Sequence, residues 1–428
     1  MSQATPTPSQ PGWSPAELHT LLEEERQQSG IVFDPRSPEL RANPYPRLHE
    51  LRANDPVHWS PLLAAWLLSR YDDVQKLFRQ PGLSKDFRNA APSPLGGRDA
   101  TSPAGTPTML RLDPPDHTRL RALVSKAFTP RAVDALQPRI QTIADDLLDA
   151  VPIDEPFDLM KAFANHLPVI VIAELLGVPA ADREQFKIWS TDLILGASAF
   201  RSADARARRE AARAQLLAYF ERVVQERRQQ PRDDLVSALI KAEEEGDRLS
   251  EAELLDTCIL LLVAGNETTT NLIGTGMLAL LQHPDQFQLL QRNPARIGQA
   301  VEELLRYDSP VQLLRRLVTT EIEIGGKCIA PGTVAIVLVG AANRDPDVFP
   351  NPDGLDITRR GASHVSFGHG IHYCLGAPLA RAEASIAITT LLRRFPRLQL
   401  ATEPPVWRPA LALRGLETLP VIPGISCH

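Results

Sequence analysis

The chain has 428 residues, 43% hydrophobic and 23% charged, which is ordinary for a globular protein and enough for one large core or two smaller ones. A formal net charge of -6 gives no electrostatic reason to expect a nucleic-acid partner, and the longest apolar run, CILLLVAG, falls far short of the roughly 20 residues needed to span a bilayer. The polar start MSQATPTPSQPGW shows no signal-peptide pattern or membrane anchor. The dispersed Cys258, Cys328, Cys374 and Cys427 form no CxxC pair or disulfide framework, so a cytoplasmic, reducing location is expected.

Residues 1–30 read as a tail with a short helix, SPAELHTLLEEERQQ, capped by Ser14; residues 31–428 read as a single domain. From Asn43 a helix leads into hairpin-like apolar runs around Pro61. Pro81 to Pro115 is a long irregular stretch rich in Pro, Gly, Ser and Ala. Such loops are usually functional or mobile, and both a substrate lid and a plain surface excursion fit it. Asp116 to about Leu280 reads as successive helices broken at Pro130, Pro152, Pro156 and Pro179. The longest, Glu251 to Gln282, opens on a Ser250–Glu253 capping box and stops at His283–Pro284. After Pro310 the pattern turns β-like, with turns at Gly325–Gly326 and Pro331–Gly332. A last helix, GAPLARAEASIAITTLLRRF, follows Cys374, and the tail is β-like with Pro breaks. The expected class is mainly α with a minor β-rich region.

The richest segment is FGHGIHYCLG, Phe367 to Gly376. It sets Cys374 at the end of a glycine-punctuated loop, just before a helix, where free N–H groups and the dipole stabilise a thiolate. Gly368, Gly370 and Gly376 let the backbone turn tightly and lie against something large. Axial ligation of haem iron suits that presentation, and electron donation from sulfur favours O–O cleavage. A zinc site would want more ligands than His369 and His372. Neither a Cys–His nucleophile nor a buried structural cysteine would need the glycines.

Three further segments carry chemistry. In AGNETT, residues 264–269, the Thr268 hydroxyl can bond back to the Ala264 carbonyl. Gly265 leaves a groove, and Glu267 adds a carboxylate for moving protons; alone, the run also fits ordinary helix. In EELLR, Glu303 and Arg306 share a helix face and alone read as a surface ion pair. In DPPDHTRLR, His117 and Arg121 share a face of a helix starting near Asp116.

Together these segments resemble the cytochrome P-450 superfamily, the haem-thiolate monooxygenases, across most of the chain. The resemblance implies the P-450 fold, with haem b between the long central helix and the Cys-loop helix and Cys374 as iron ligand. Glu267 and Thr268 match the oxygen-activating acid–alcohol pair. Glu303 and Arg306 match a buried structural pair that often adds a downstream Arg. Here that segment reads NPDGLD, with Gly354 and Leu355 where Arg and Phe are common, leaving Arg359 or Arg360 to substitute. His117, Arg121 and His372 match propionate partners, and Arg316 or its neighbour Arg315 another. Ala264, Gly265, Phe367, Gly368 and Gly376 would line the cofactor. Phe87, Leu95, Leu193, Ile194, Ala264, Leu313, Leu314 and Leu413 would line the substrate pocket.

The implied reaction uses dioxygen to hydroxylate or epoxidise a lipophilic small molecule such as a polyketide, macrolide, terpenoid or fatty acid. The sequence holds no dinucleotide fingerprint and no iron–sulfur cysteine cluster. Electrons are therefore expected from a ferredoxin-type donor and its reductase, docking on a monomer. Arg119, Lys126, Arg393 and Arg394 would form the basic patch, or be plain solvated faces. A peroxide-driven peroxygenase and a non-enzymatic gas-binding haem protein are the alternatives; family peroxygenases usually lack the acid–alcohol pair.

Overall fold

The computed structural model describes residues 14–90, 108–152, 154–195, 203–244 and 249–424. It is mostly helical with small sheets, as expected. Helices begin where the sequence supplies caps. The Ser14 hydroxyl accepts the Glu17 N–H while the Glu17 carboxylate takes the Ser14 N–H, opening Pro15–Ser29. The same reciprocal pair, Ser250 and Glu253, opens the 32-residue helix Glu251–Gln282.

That central helix organises the rest. It packs against Leu167–Leu175, Ile297–Tyr307 and Ala377–Arg394. Its Leu254, Leu262, Ile273, Met277 and Leu280 join Phe163, Ile172, Leu304 and Ile388 in the largest apolar core. Close approach is sequence-encoded: a Cβ added at Gly274 would collide with the Met160 sulfur.

A five-stranded sheet flanks the helices in the order Val57–Ser60, Ala65–Leu68, Val334–Leu338, Leu313–Val318, Leu83–Ser84. Ala65–Leu68 and Val334–Leu338 run parallel; the other neighbours are antiparallel. Alternation along Leu313–Val318 sends Leu313 toward the Phe33, Leu48, Phe87 and Leu411 cluster. Leu314 goes toward the opposite one, with Leu77, Phe78 and Val365. Gly325 and Gly326, at φ 57 and 74, make the left-handed turn between Ile322–Ile324 and Lys327–Ile329.

A buried triad ties the first helix to this sheet. His58 lies 2.8 Å from Glu25 and 2.9 Å from Asp55, and both His58 and Glu25 are sealed from solvent. Burial works against its charge, but the hydrogen bonds to Glu25 and Asp55 outweigh it and hold the imidazole above its ordinary range. A folded-state value above the unfolded one stabilises fully below the unfolded pKa of about 6.5, and the effect is lost as pH rises through the folded value. His58→Gln should therefore destabilise more at pH 6 than at pH 9. Urea unfolding of both proteins at the two pH values measures this, and an equal gap would discard the charged-triad reading.

Candidate active site

The Cys374 loop is built by two left-handed glycines, Gly368 at φ 71 and Gly370 at φ 72, and closed by the Cys374 N–H donating to the Phe367 carbonyl at 2.9 Å. Gly376 differs from expectation. Its φ of -80 suits any residue, and a Cβ there would meet nothing within 4 Å, so its smallness leaves room rather than permitting a turn. Helix Ala377–Arg394 starts directly afterwards. Cys374 keeps an exposed surface, yet protein surrounds enough of the sulfur that burial pushes the thiol up. The Gly376 and Ala377 N–H groups and the Arg121 and Arg381 guanidiniums pull it the other way. Phe367 is half-buried beneath the Arg381 guanidinium, 4.6 Å from its ring centre. Among the described residues no three His, Cys, Asp or Glu side chains are grouped to hold a metal ion, so the zinc reading gains no support.

On the central helix, Ala264 is exposed and Thr268 partly exposed, although most of the helix around them is buried. The Thr268 hydroxyl donates to the Ala264 carbonyl at 2.9 Å. Gly265 does not open this face: an added Cβ would sit 3.6 Å from Ile172, so its bare side is turned to helix Leu167–Leu175. Glu267 is buried and ion-paired with Arg408 from the C-terminal tail, a partner the sequence reading missed. Arg408 also donates to the Leu416 carbonyl at 3.1 Å and to Asn165 at 3.3 Å.

Basic side chains converge beside the Cys loop. His117 and His372 meet with ring centres 4.3 Å apart and planes inclined at 53°, and His117 Nδ1 and His372 Nε2 are buried with no hydrogen-bond partner. Arg121 donates to the Tyr373 carbonyl at 2.7 Å. Of the neighbouring arginines, Arg316 is the one on the Leu314 face, and a Cβ at Gly368 would come 3.8 Å from Leu314. Arg315 lies on the other face, over the Phe87 ring at 4.6 Å. Lys85, unforeseen in the sequence, joins Arg316. Burial, then His117, Lys85, Arg316 and Arg121, pushes His372 down to about 3. Crowded cations and orphaned imidazole nitrogens call for an anion, and the two carboxylates of a haem beside the Cys374 thiolate match that donor set.

Glu303 and Arg306 are fully buried in a bidentate pair at 2.7 and 2.8 Å. Arg359, not the exposed Arg360, supplies the third member, 3.0 Å from Glu303. The basic patch fares less well. Arg119 pairs with Glu253, Arg393 with Asp145 and Arg394 with Asp149, so local carboxylates already neutralise three of its four members.

The pocket candidates do not form one wall. Leu313 and Leu314 face opposite sides of the sheet. Phe87 is buried under Arg315 and Lys85. Leu193 is buried in the main core. Leu413 bridges Val311. The Ile194 side chain, in the last turn of helix Arg183–Leu195, and Leu95, with the middle of the irregular stretch, lie outside what the structure describes.

Comparison with known proteins gives the family. The family model described as Cytochrome P450 matches residues 64–410. The chain is 46% identical to Vitamin D(3) 25-hydroxylase of Pseudonocardia autotrophica, over 89% of this chain and 94% of that one. It is 42% identical to the polyketide biosynthesis cytochrome P450 PksS of Bacillus subtilis, over 91% and 98%. The solved PksS structure superposes with a TM-score of 0.85, covering 92% of this chain and all of that one. P450BioI, solved with an acyl carrier protein bearing hexadec-9Z-enoic acid, gives 0.83 at 40% identity, covering 90% of this chain and 100% of that one. No described helix is long and apolar enough to cross a membrane. With the thiol loop, the basic cluster and these likenesses in agreement, the chain belongs to the cytochrome P450 family and is an oxidoreductase of its monooxygenase class.

Proposed function

We propose that this enzyme holds haem b through Cys374 and inserts one atom of dioxygen into a lipophilic small molecule, with electrons delivered by a separate ferredoxin and reductase. The observation that carries the reading is the convergence beside Cys374 of cations and unpartnered imidazoles. His117, Arg121, Arg316 and His372 would hold the propionates, and Cys374 the iron. When bound, the haem supplies the dioxygen-activating chemistry. Relatives named for vitamin D(3), polyketide biosynthesis and an acyl carrier protein support a substrate among polyketides, fatty acyl chains and similarly bulky apolar molecules.

The chain's own contribution is to exclude water and manage protons. Reducing dioxygen to water plus an inserted oxygen atom consumes two protons. The Thr268 hydroxyl, whose one proton goes to the Ala264 carbonyl, keeps lone pairs to accept with and can pass its proton on by turning away from that carbonyl. Glu267, held in its ion pair by Arg408, is a buried carboxylate one residue away, and water must link it to Thr268 or its side chain must swing out of the pair.

Thr268→Ala is expected to keep substrate binding and lose coupling. Product per reduced nicotinamide should fall severalfold while peroxide rises. Assays with a generic ferredoxin and reductase, compared with peroxide alone, test the function at the same time. Turnover driven only by peroxide would favour a peroxygenase, and haem binding without turnover a gas-binding protein.

A further inference from the structure

The Lys85 ammonium and the Arg316 guanidinium both donate to one carbonyl oxygen, that of Arg315, at 3.3 and 2.9 Å. Two cations sharing one neutral acceptor repel each other, and neither has a side-chain carboxylate bonded to it among the contacts described. The nearby Asp113 is otherwise engaged, by the Lys85 backbone N–H at 2.9 Å and by the Ser84 hydroxyl. Asp86, on the same segment as Lys85, is held by Arg88.

We propose that Lys85 and Arg316 form a clamp for one carboxylate, and that this carboxylate is a propionate of the haem. The proposal rests on the haem-binding reading above. A substrate carboxylate is the other source of the same chemistry. Placement favours the propionate: Arg316 shares its strand face with Leu314, which lies against Gly368 of the Cys loop.

Proton uptake follows. Burial and the facing Arg316, Arg315 and Arg111, opposed by Asp113, push Lys85 down to about 7. His372 faces the same space from the Cys loop. Above pH 7 the amine is largely neutral without an anion, and a carboxylate seated against it raises its pKa again. Haem loading then draws a proton onto Lys85, so retention weakens as pH climbs from 7 to 9. Below pH 6 Lys85 is protonated with or without haem and adds no pH dependence.

Haem loss from the holoprotein to excess apomyoglobin, followed from pH 6 to 9, tests this. Lys85→Met should lose haem roughly tenfold faster at pH 7, the effect of one charge-assisted bond, with a flatter rise toward pH 9. Lys85→Gln, which keeps a donor for the Arg315 carbonyl and so guards against misfolding, should behave the same way, and Lys85→Arg should restore slow loss. Dodecanoate and dodecanol, titrated by their perturbation of the haem spectrum, form the second arm. Their relative affinities should be the same in wild type and Lys85→Gln. Unchanged haem loss in all three variants overturns the proposal, as does unchanged loss with a selective drop in dodecanoate affinity. A wild-type protein that takes up no haem would instead sink the underlying reading.

Discussion

Cys374→Ser should abolish the strongly red-shifted Soret band of the ferrous–CO form, while Cys258→Ser and Cys328→Ser keep it. The three thiols stand in different surroundings. Cys258 is sealed in the main core, where burial pushes it up to about 12. Cys328 is exposed on a two-stranded hairpin, opposite Glu323. Among the described cysteines only Cys374 has backbone N–H groups aimed at its sulfur from a helix start and cationic guanidiniums nearby. A serine hydroxyl there is a far weaker acid and a harder donor, so the electronic signature of thiolate ligation should vanish even where haem is retained. CO-difference spectroscopy of the reduced proteins decides it. A persisting band in Cys374→Ser would assign the iron ligand elsewhere.

The second large effect is on stability. Arg306→Leu should cost about 3–5 kcal/mol, because it leaves the Glu303 carboxylate buried beside a single remaining guanidinium. Arg359→Leu should cost roughly 1–2 kcal/mol, since Arg306 still grips Glu303 in its fork. Arg360→Leu, at an exposed position, should change stability by less than about 0.5 kcal/mol. Arg306→Lys should not rescue, because a lysine cannot make the two parallel bonds. Urea unfolding of the holoproteins ranks the four variants. Equal losses for Arg306→Leu and Arg360→Leu would show that the buried network contributes nothing.

What could be read from the sequence was local. The Ser250–Glu253 box, the His283–Pro284 stop, the paired glycines at 325 and 326 and the thiol at a helix start each carry their signal within a few residues, and the structure has each of these features. The hydrogen bond from Thr268 to Ala264 is also local, one helical turn. The misreadings concern direction. Gly265 looked like a groove because a missing side chain says nothing about which neighbour fills the space. Leu313 and Leu314 looked like one wall until the strand's period of two was laid against two different clusters.

The unread partners are long-range. Lys85 meets the carbonyl of a residue 230 positions away, and Arg408 reaches Glu267 from an irregular tail. No periodicity links such groups, because tertiary packing alone brings them together. The sequence left the choice between Arg315 and Arg316 open, and only the packed sheet shows which of them faces the Cys loop.

The segment between Asn343 and Gly354 shows what Arg306 and Arg359 do beyond pairing with Glu303. Arg306 donates to the carbonyls of Asn343, Pro352 and Gly354, and Arg359 to those of Pro350, Asn351 and Gly354. Carbonyls that a sheet or helix would have used are instead gripped by guanidiniums, which read main-chain positions and ignore side-chain identity. Apart from buried Asp345 and Phe349, whose side chains meet Tyr71, such a segment can drift in its letters but not in its length. A single inserted residue would move every acceptor off its donor, whereas replacing an exposed side chain such as that of Asp347 would disturb none of these bonds. Deletion and insertion scanning through residues 346–354 should therefore be far more damaging than substitution scanning at the exposed positions of the same stretch.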